Sequence, residues 1–386
     1  MAIFVTGSTG YLGSYIVNEL LEKHNRKLIL LVRAQDRETA AAKLWRAMQL
    51  HMDFSRFHHY LHTNIKVLLG DITESDCGVG VSNYQSLVKN VNSILHVAAS
   101  LNRKSERTCL NVNLRGTLEL TKLARAVSDN HGLKRFSHLS TVAVAGIRQN
   151  QVVTEDQAVD WNRSDYDPYA RTKKFSEHLI RELLPDIPLT IFRPSIILGD
   201  SQIEATTQFD MVQAFAFLAG LPLLPLRIAD RLDIVNVDFV AKAIVTLHQK
   251  ESPSFDTYHL SSGTTSHTCQ EITDALSTAR NRFRPTYLPF LIKPVSTIVH
   301  LLAKQRSTSV GYLARLMEVF LPYLLWNTVF DNSRVVQETG MSPARFTDYC
   351  YPLYQFATKH DFTYPYQEWP KAEVSYDGLR LRTLGQ

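Results

Sequence analysis

The sequence predicts an α/β protein, a doubly wound parallel sheet with helices on both faces. Three observations predict it. Through the first 200 residues, short apolar runs alternate with helical patterns, the rhythm of strand–helix–strand units. The runs are apolar almost throughout, as parallel strands covered on both sides must be. The first run closes on three glycines spaced three apart, Gly7, Gly10 and Gly13, a turn from strand into helix.

The elements follow in order. AIFVT is a short β-rich run ending in glycine and reads as a buried strand. From Tyr11 to Lys23, apolar residues recur at helical spacing as Leu12, Ile16, Val17, Leu20 and Leu21. KLILLVR is a second strand, and residues 36–50 are helical. IKVLLGD, NSILHVAA, RFSHLSTVAVAG and PLTIFRPS are the third to sixth strands. Helical patterns at Glu106–Ser128 and Asp167–Leu184 separate the later ones. After about residue 200 the rhythm changes. RLDIVNVDFVAKAIVTLHQ reads as strand then helix, TYHLSS as a strand, and residues 280–340 as largely helical. The expected division is a core over residues 1–200 and a smaller, mostly helical substrate-binding or lid region over 201–386. The second region interleaves with the first through strands near 233–237 and 255–260, and ends in a helical tail over 280–340.

Composition excludes several classes. The chain has 386 residues, 45% hydrophobic and 20% charged, with net charge +5; these are the proportions of a globular protein. No basic run marks a nucleic-acid partner. Cys77, Cys109, Cys269 and Cys350 form no metal spacing and no dense disulfide framework. Reduced thiols, no metal and a cytoplasmic location are expected. No leader is visible. No run reaches the roughly 18 apolar residues of a membrane-spanning helix.

A strand, a glycine-rich turn and a helix make a phosphate cradle. Glycines let the backbone approach a diphosphate, and free N–H groups at the helix start donate to it. The candidate contacts are Gly7, Ser8, Thr9, Gly10, Tyr11, Leu12 and Gly13, in a GxxGxxG spacing one residue wider than the usual dinucleotide fingerprint. This makes the core Rossmann-type. Where NAD-binding versions carry an acid at the end of the second strand, this chain has Arg33, which suits a 2′-phosphate and therefore NADPH. Arg37 is a second candidate contact. Asp71, at the end of the third strand, reads either as an acceptor for the adenine amino group or as a helix N-cap; Ile72 follows it.

YARTK places Tyr169 and Lys173 at i and i+4, on one face of a helix. A lysine beside a phenol is expected to lower its pKa and make Tyr169 a general acid near neutral pH. Ser140 and Thr141, at the C-terminal end of the fifth strand, offer hydroxyls to a developing oxyanion, and Thr141 is the preferred candidate.

Together these motifs resemble the extended short-chain dehydrogenase/reductase family. TGSTGYLG is similar to its cofactor loop, and HVAAS (His96–Ser100, with Ala98) to its cofactor-lining fourth strand. NLRGT (Asn113–Thr117) resembles its helix motif, which implies a structural or proton-relay role for Asn113. Thr141, Tyr169 and Lys173 match its catalytic trio. RPSIILG (Arg193–Gly199, with Pro194 and Ile196) is similar to the segment that meets the nicotinamide. The resemblance covers roughly residues 1–280. Within the family, LLVRAQDRETAAAKL, the insertion Arg46–Thr63 and RPSIILGDSQ resemble thioester reductases and fatty acyl-CoA reductases, the group that includes the terminal domains of carboxylic acid reductases. Sugar-nucleotide members usually carry VYG where this chain has Val144, Ala145 and Gly146.

The resemblance implies hydride transfer from NADPH to an acyl thioester, yielding aldehyde; the residues do not decide between aldehyde and alcohol as the final product. The chain opens directly on its first strand, so the substrate is expected as acyl-CoA or on a separate acyl-carrier protein. Two alternatives stand beside this reading: a 3β-hydroxysteroid dehydrogenase-like or other bulky-lipid oxidoreductase, and a non-catalytic NADP-sensing module. The late apolar stretches Phe290–Leu302 and Leu316–Phe330 allow a plain helical core, an acyl tunnel or peripheral contact with a bilayer. Nothing in the pattern specifies an oligomeric state.

Overall fold

A computed structural model of the chain describes residues 1–305 and 308–370. The remainder of the 201–386 region lies outside the described residues. The main sheet contains β1 (Ala2–Thr6), β2 (Leu28–Val32), β3 (Ile65–Leu69), β4 (Val91–His96), β5 (Arg135–Leu139), β6 (Leu189–Pro194) and β7 (Thr257–Leu260). Their spatial order is β7-β6-β5-β4-β1-β2-β3, and every neighbouring pair is parallel. Val5 on β1 stands opposite both Leu30 and Leu95. Strand order reverses between β1 and β4, and a crevice opens beyond their carboxyl ends.

The helices are α1 (Tyr11–Glu22), α2 (Arg37–Met48), α3 (Phe54–Thr63), α4 (Val81–Asn90), α5 (Gly116–His131) and α6 (Pro168–Leu183) in the first part of the chain. Beyond it come α7 (Asp210–Gly220), α8 (Val237–Gln249), α9 (Cys269–Ala279), α10 (Ile292–Leu302), α11 (Ser309–Leu325) and α12 (Phe346–Lys359). One face of the sheet buries Ile16, Leu20, Leu44, Phe57 and Ile244 from α1, α2, α3 and α8. The other buries Leu87, Leu120, Leu123 and Ile180 from α4, α5 and α6. Each such side chain contributes about 1.5–3 kcal/mol when withdrawn from water. A separate cluster, with Val212, Ile272 and Leu353, joins α7, α9 and α12.

Two elements differ from the sequence expectation. The fifth strand stops at Leu139. Thr141 then accepts a hydrogen bond from the Ala143 N–H and starts a tight 3₁₀ turn over Val142–Ala145, closed by Gly146 at φ +66°. Apolar residues continue through the turn because it is buried, which a period-two reading mistakes for strand. The helix expected over Glu106–Ser128 holds a wide turn at Leu110–Arg115. TYHLSS, read as a strand, is edge strand β7 of the main sheet. Of the neighbouring RLDIV segment, Ile234–Val235 pairs with Ile196–Ile197.

After α12 the chain returns to the first half. Gln49 and Gln367 exchange two hydrogen bonds of 2.7 Å, and Trp369 packs edge-on against Phe54 at 5.0 Å. Among the described residues no helix is long and apolar enough to cross a membrane, and no acid, His or Cys cluster has metal-binding geometry. The four cysteines are buried and unbridged.

Candidate active site

A cleft of about 1210 Å³ runs along the carboxyl ends of the strands. At its floor the β1–α1 turn is closed by glycine chemistry. Gly7 sits at φ +78°, and a Cβ there would lie 2.6 Å from the Ala98 nitrogen. A Cβ on Gly13 would lie 2.0 Å from the Gly7 carbonyl oxygen, so α1 packs against the turn only without one. Gly10 differs, since its nearest neighbour would be 3.4 Å away; its side-chain-free surface faces the cleft. Gly10 caps α1 with no side-chain hydrogen bond, which leaves the first N–H groups of the helix for an anion. Glycines that cannot be replaced, an uncapped helix start and a basic rim fit a diphosphate-bearing dinucleotide.

Arg33 and Asp71 stand together at the next part of the wall, 3.5 Å apart, with the Arg33 side chain 79% exposed. Burial works to raise the Asp71 carboxyl, but hydrogen bonds from Thr73 and the Arg33 guanidinium hold it below the usual carboxylate range. Asp71 Oδ1 accepts from the Thr73 N–H and hydroxyl in a local turn; the helical turn that follows begins at Ser75 with Glu74 at its N-cap, so Asp71 caps no helix. Lys43 and Arg46 of α2 line the same wall. Ile72, Ala98, Pro194 and Ile196 also line the cleft, with Thr9, Tyr11 and Leu12. Ser8 and Asn113 do not line it. Ser8 is buried with its hydroxyl unpaired. Asn113 sits in the wide turn before α5, where it accepts from the Ser100 N–H at 2.7 Å and donates to the Thr172 hydroxyl at 3.1 Å. It thereby ties the β4 loop to α6.

Tyr169, Lys173 and Thr141 all line the cleft. Asp167 caps α6 by accepting from the Ala170 N–H, and Pro168 follows at the first helical position. This fixes Tyr169 in the first turn, with Lys173 one turn on. The electrostatics differ from the simple Tyr–Lys expectation. Burial pushes the Tyr169 phenol up; the Arg103 charge and the neighbouring Thr141 hydroxyl oppose the rise only in part. Burial also pushes the Lys173 ammonium down to about 7, with Glu177 opposing. Lys173 Nζ donates to the Leu139 carbonyl at 2.6 Å. The cation facing the phenol is Arg103, whose guanidinium lies 4.7 Å from the Tyr169 ring centroid. Arg103 is held by Asp167 and by the Tyr323 hydroxyl, each at 2.7 Å.

Sequence reading missed Arg103 and Tyr323. The signal for Arg103 was a basic loop, LNRK, directly after the fourth strand, where ligand-binding loops of parallel sheets lie. Tyr323 lies on a distant helix and left no signal. Ser140 also lines the cleft, but its hydroxyl donates to Glu177, which is itself paired with Arg193 in a buried bridge.

A sequence profile described as male sterility protein, an NAD-binding domain, matches residues 5–244. A carboxylic acid reductase of Mycobacterium marinum is 31% identical over 288 residues, covering 67% of this chain and 24% of that protein. A Drosophila melanogaster protein with the provisional name fatty acyl-CoA reductase is 27% identical over 223 residues, covering 51% of this chain and 41% of that one. The chain thus spans about a quarter of the length of the carboxylic acid reductases it matches. The terminal R domain of the myxalamid biosynthetic pathway superposes with TM-score 0.78 at 21% identity, covering 94% of this chain and 91% of that chain; at that identity the match speaks for the fold. With the profile spanning more than half of the sequence and its glycine cradle built as described, the chain belongs to the male sterility protein family of NAD-binding domains.

Proposed function

We propose that this chain is an NADPH-dependent reductase of acyl thioesters, acting on acyl-CoA or an acyl-carrier protein and releasing aldehyde. One observation carries the reading: a single cleft joins the glycine cradle to Tyr169 and continues along Leu316, Val319 and Phe320 of α11, an apolar wall suited to an acyl chain. Gly7, Gly10, Gly13 and the start of α1 would hold the diphosphate; Arg33, with Arg46 and Lys43, the 2′-phosphate. The carbon skeletons named for the relatives, carboxylic acid and fatty acyl-CoA, point the same way.

When bound, the dihydronicotinamide supplies hydride to the thioester carbonyl carbon. Tyr169, protonated throughout the neutral range because burial raises its pKa, donates to the carbonyl oxygen as charge develops there. Thr141 supports that oxygen, and Arg103 steadies the phenolate that forms. Lys173, with a pKa of about 7, is suited to return a proton to Tyr169 and to hold the ribose. As the carbon–sulfur bond of the tetrahedral adduct breaks, its hydroxyl gives up its proton and the departing thiolate takes up a proton, leaving aldehyde and free thiol.

The test is NADPH oxidation with palmitoyl-CoA, following free thiol and trapping aldehyde. Thiol and aldehyde formed in step with NADPH loss support the reading. NADPH consumed on a sterol or other bulky ketone, with no thiol from any thioester, would replace it with the lipid ketone–alcohol reading. Binding of NADPH with no turnover on either class would point to the sensing module.

A further inference from the structure

Residues 363–370 run back from α12 and pack on α2 and α3. Three anchors hold them: the paired hydrogen bonds of Gln49 with Gln367, the Tyr364 hydroxyl on the Gln49 carbonyl at 3.3 Å, and Trp369 against Phe54 and Phe57 at 5.0 and 6.2 Å. Tyr366 lies between these anchors and lines the cleft. The Arg46 guanidinium lies 3.9 Å from its ring centroid.

The charge of this wall is unbalanced. Arg33, Lys43 and Arg46 line the cleft with Asp71; Arg33 pairs with that acid, and neither Lys43 nor Arg46 forms an ion pair among the described residues. Lys43 donates to the Arg33 carbonyl and takes no carboxylate among the described residues. Two cations in excess suit a phosphate monoester dianion. A guanidinium stacked on an aromatic face keeps its charge and its N–H edges while losing rotational freedom.

We propose that the C-terminal strap is part of the cofactor site: Tyr366 holds Arg46 in place for the 2′-phosphate, so the last described residues of the chain set the preference for NADPH over NADH. This rests on the reading that the cleft takes NADPH. Neither Arg46 nor Tyr366 carries a signal in the glycine motif, and they lie 320 positions apart in the sequence.

The experiment measures dissociation constants for NADPH and NADH by nicotinamide fluorescence, without turnover. The variants are Tyr366→Ala, Tyr366→Phe, Arg46→Ala and the Arg46→Ala/Tyr366→Ala pair. Tyr366→Ala is expected to weaken NADPH about 5–30-fold, the size of a cation–aromatic contact, while NADH changes by less than about twofold. Tyr366→Phe should retain wild-type affinity, because the ring carries the contact. The double variant should be no weaker than Arg46→Ala alone, as residues acting through one another are non-additive. Equal losses for both cofactors in Tyr366→Ala would show a plain packing role and overturn the proposal, as would unchanged NADPH affinity. A wild-type protein that binds NADH but not NADPH would instead overturn the cofactor reading beneath it.

Discussion

Tyr169 and Lys173 illustrate how burial rewrites a motif. Spacing places them on one helical face, and it does so correctly because α6 is capped by Asp167 and Pro168. Spacing carries no information on desolvation, which dominates both groups. The lasting positive charge at the phenol therefore comes from Arg103. Tyr169→Phe is expected to lower kcat at least about 100-fold, the contribution of a positioned acid, with NADPH affinity near that of wild type; a fully active variant would sink the mechanism. Arg103→Gln should lower kcat about 10–100-fold, while Arg103→Lys recovers part of the loss. Lys173 gives a pH test. Its folded pKa of about 7 lies below its ordinary 10.5. Between those values the unfolded chain holds a proton that the folded one lacks, so its contribution to stability improves as pH rises through that window. Below about pH 7 the folded state carries the buried charge. The Tm of Lys173→Met minus that of wild type should accordingly be larger at pH 6 than at pH 9.

The β1–α1 turn makes a second contrast, between glycines that the fold itself requires and one that it leaves room to replace. Gly13→Ala drives a Cβ to 2.0 Å from the Gly7 oxygen and is expected to leave little folded protein. Gly10→Ala meets its nearest atom at 3.4 Å. It should fold with a Tm close to wild type yet bind NADPH at least about tenfold more weakly, as read by fluorescence titration. The first six strands were legible because parallel strands buried on both faces must be apolar, and alternation with helices follows from their crossovers. Where legibility failed, the backbone departed from regular periods while burial continued. Val142–Ala145 is apolar yet turned, and the wide turn at Leu110–Arg115 leaves hydrophobic spacing almost unchanged. The glycine cradle was legible because strand, turn and helix are contiguous. Arg103, Tyr323 and Tyr366 were not, because they enter the cleft from segments far apart in sequence whose crossing is set by packing.

At the scale of the whole molecule, buried histidines work against stability in acid. His96, His138, His248 and His259 are each buried, and burial is the leading cause that lowers all four below 6.5. His96 and His248 fall to about 3. Above pH 6.5 both folded and unfolded forms leave these groups neutral. Below it the unfolded chain binds protons that the folded chain excludes, so stability drops as pH falls from 6.5. Melting curves should show Tm declining steadily from pH 6.5 to 4.5, and His248→Gln should flatten that decline. The edge position of β7 has a consequence during synthesis. On the ribosome, β6 emerges well before the strand that covers its outer edge. At about 5–20 residues per second, several seconds pass in which Ile191 and Phe192 stand beside an open row of backbone donors and acceptors. Nascent chains halted in that interval are the ones that need a chaperone, and strong translational pauses that hold the chain after β6 has emerged and before β7 has are expected to lower the yield of soluble protein more than pauses placed after β7 has emerged.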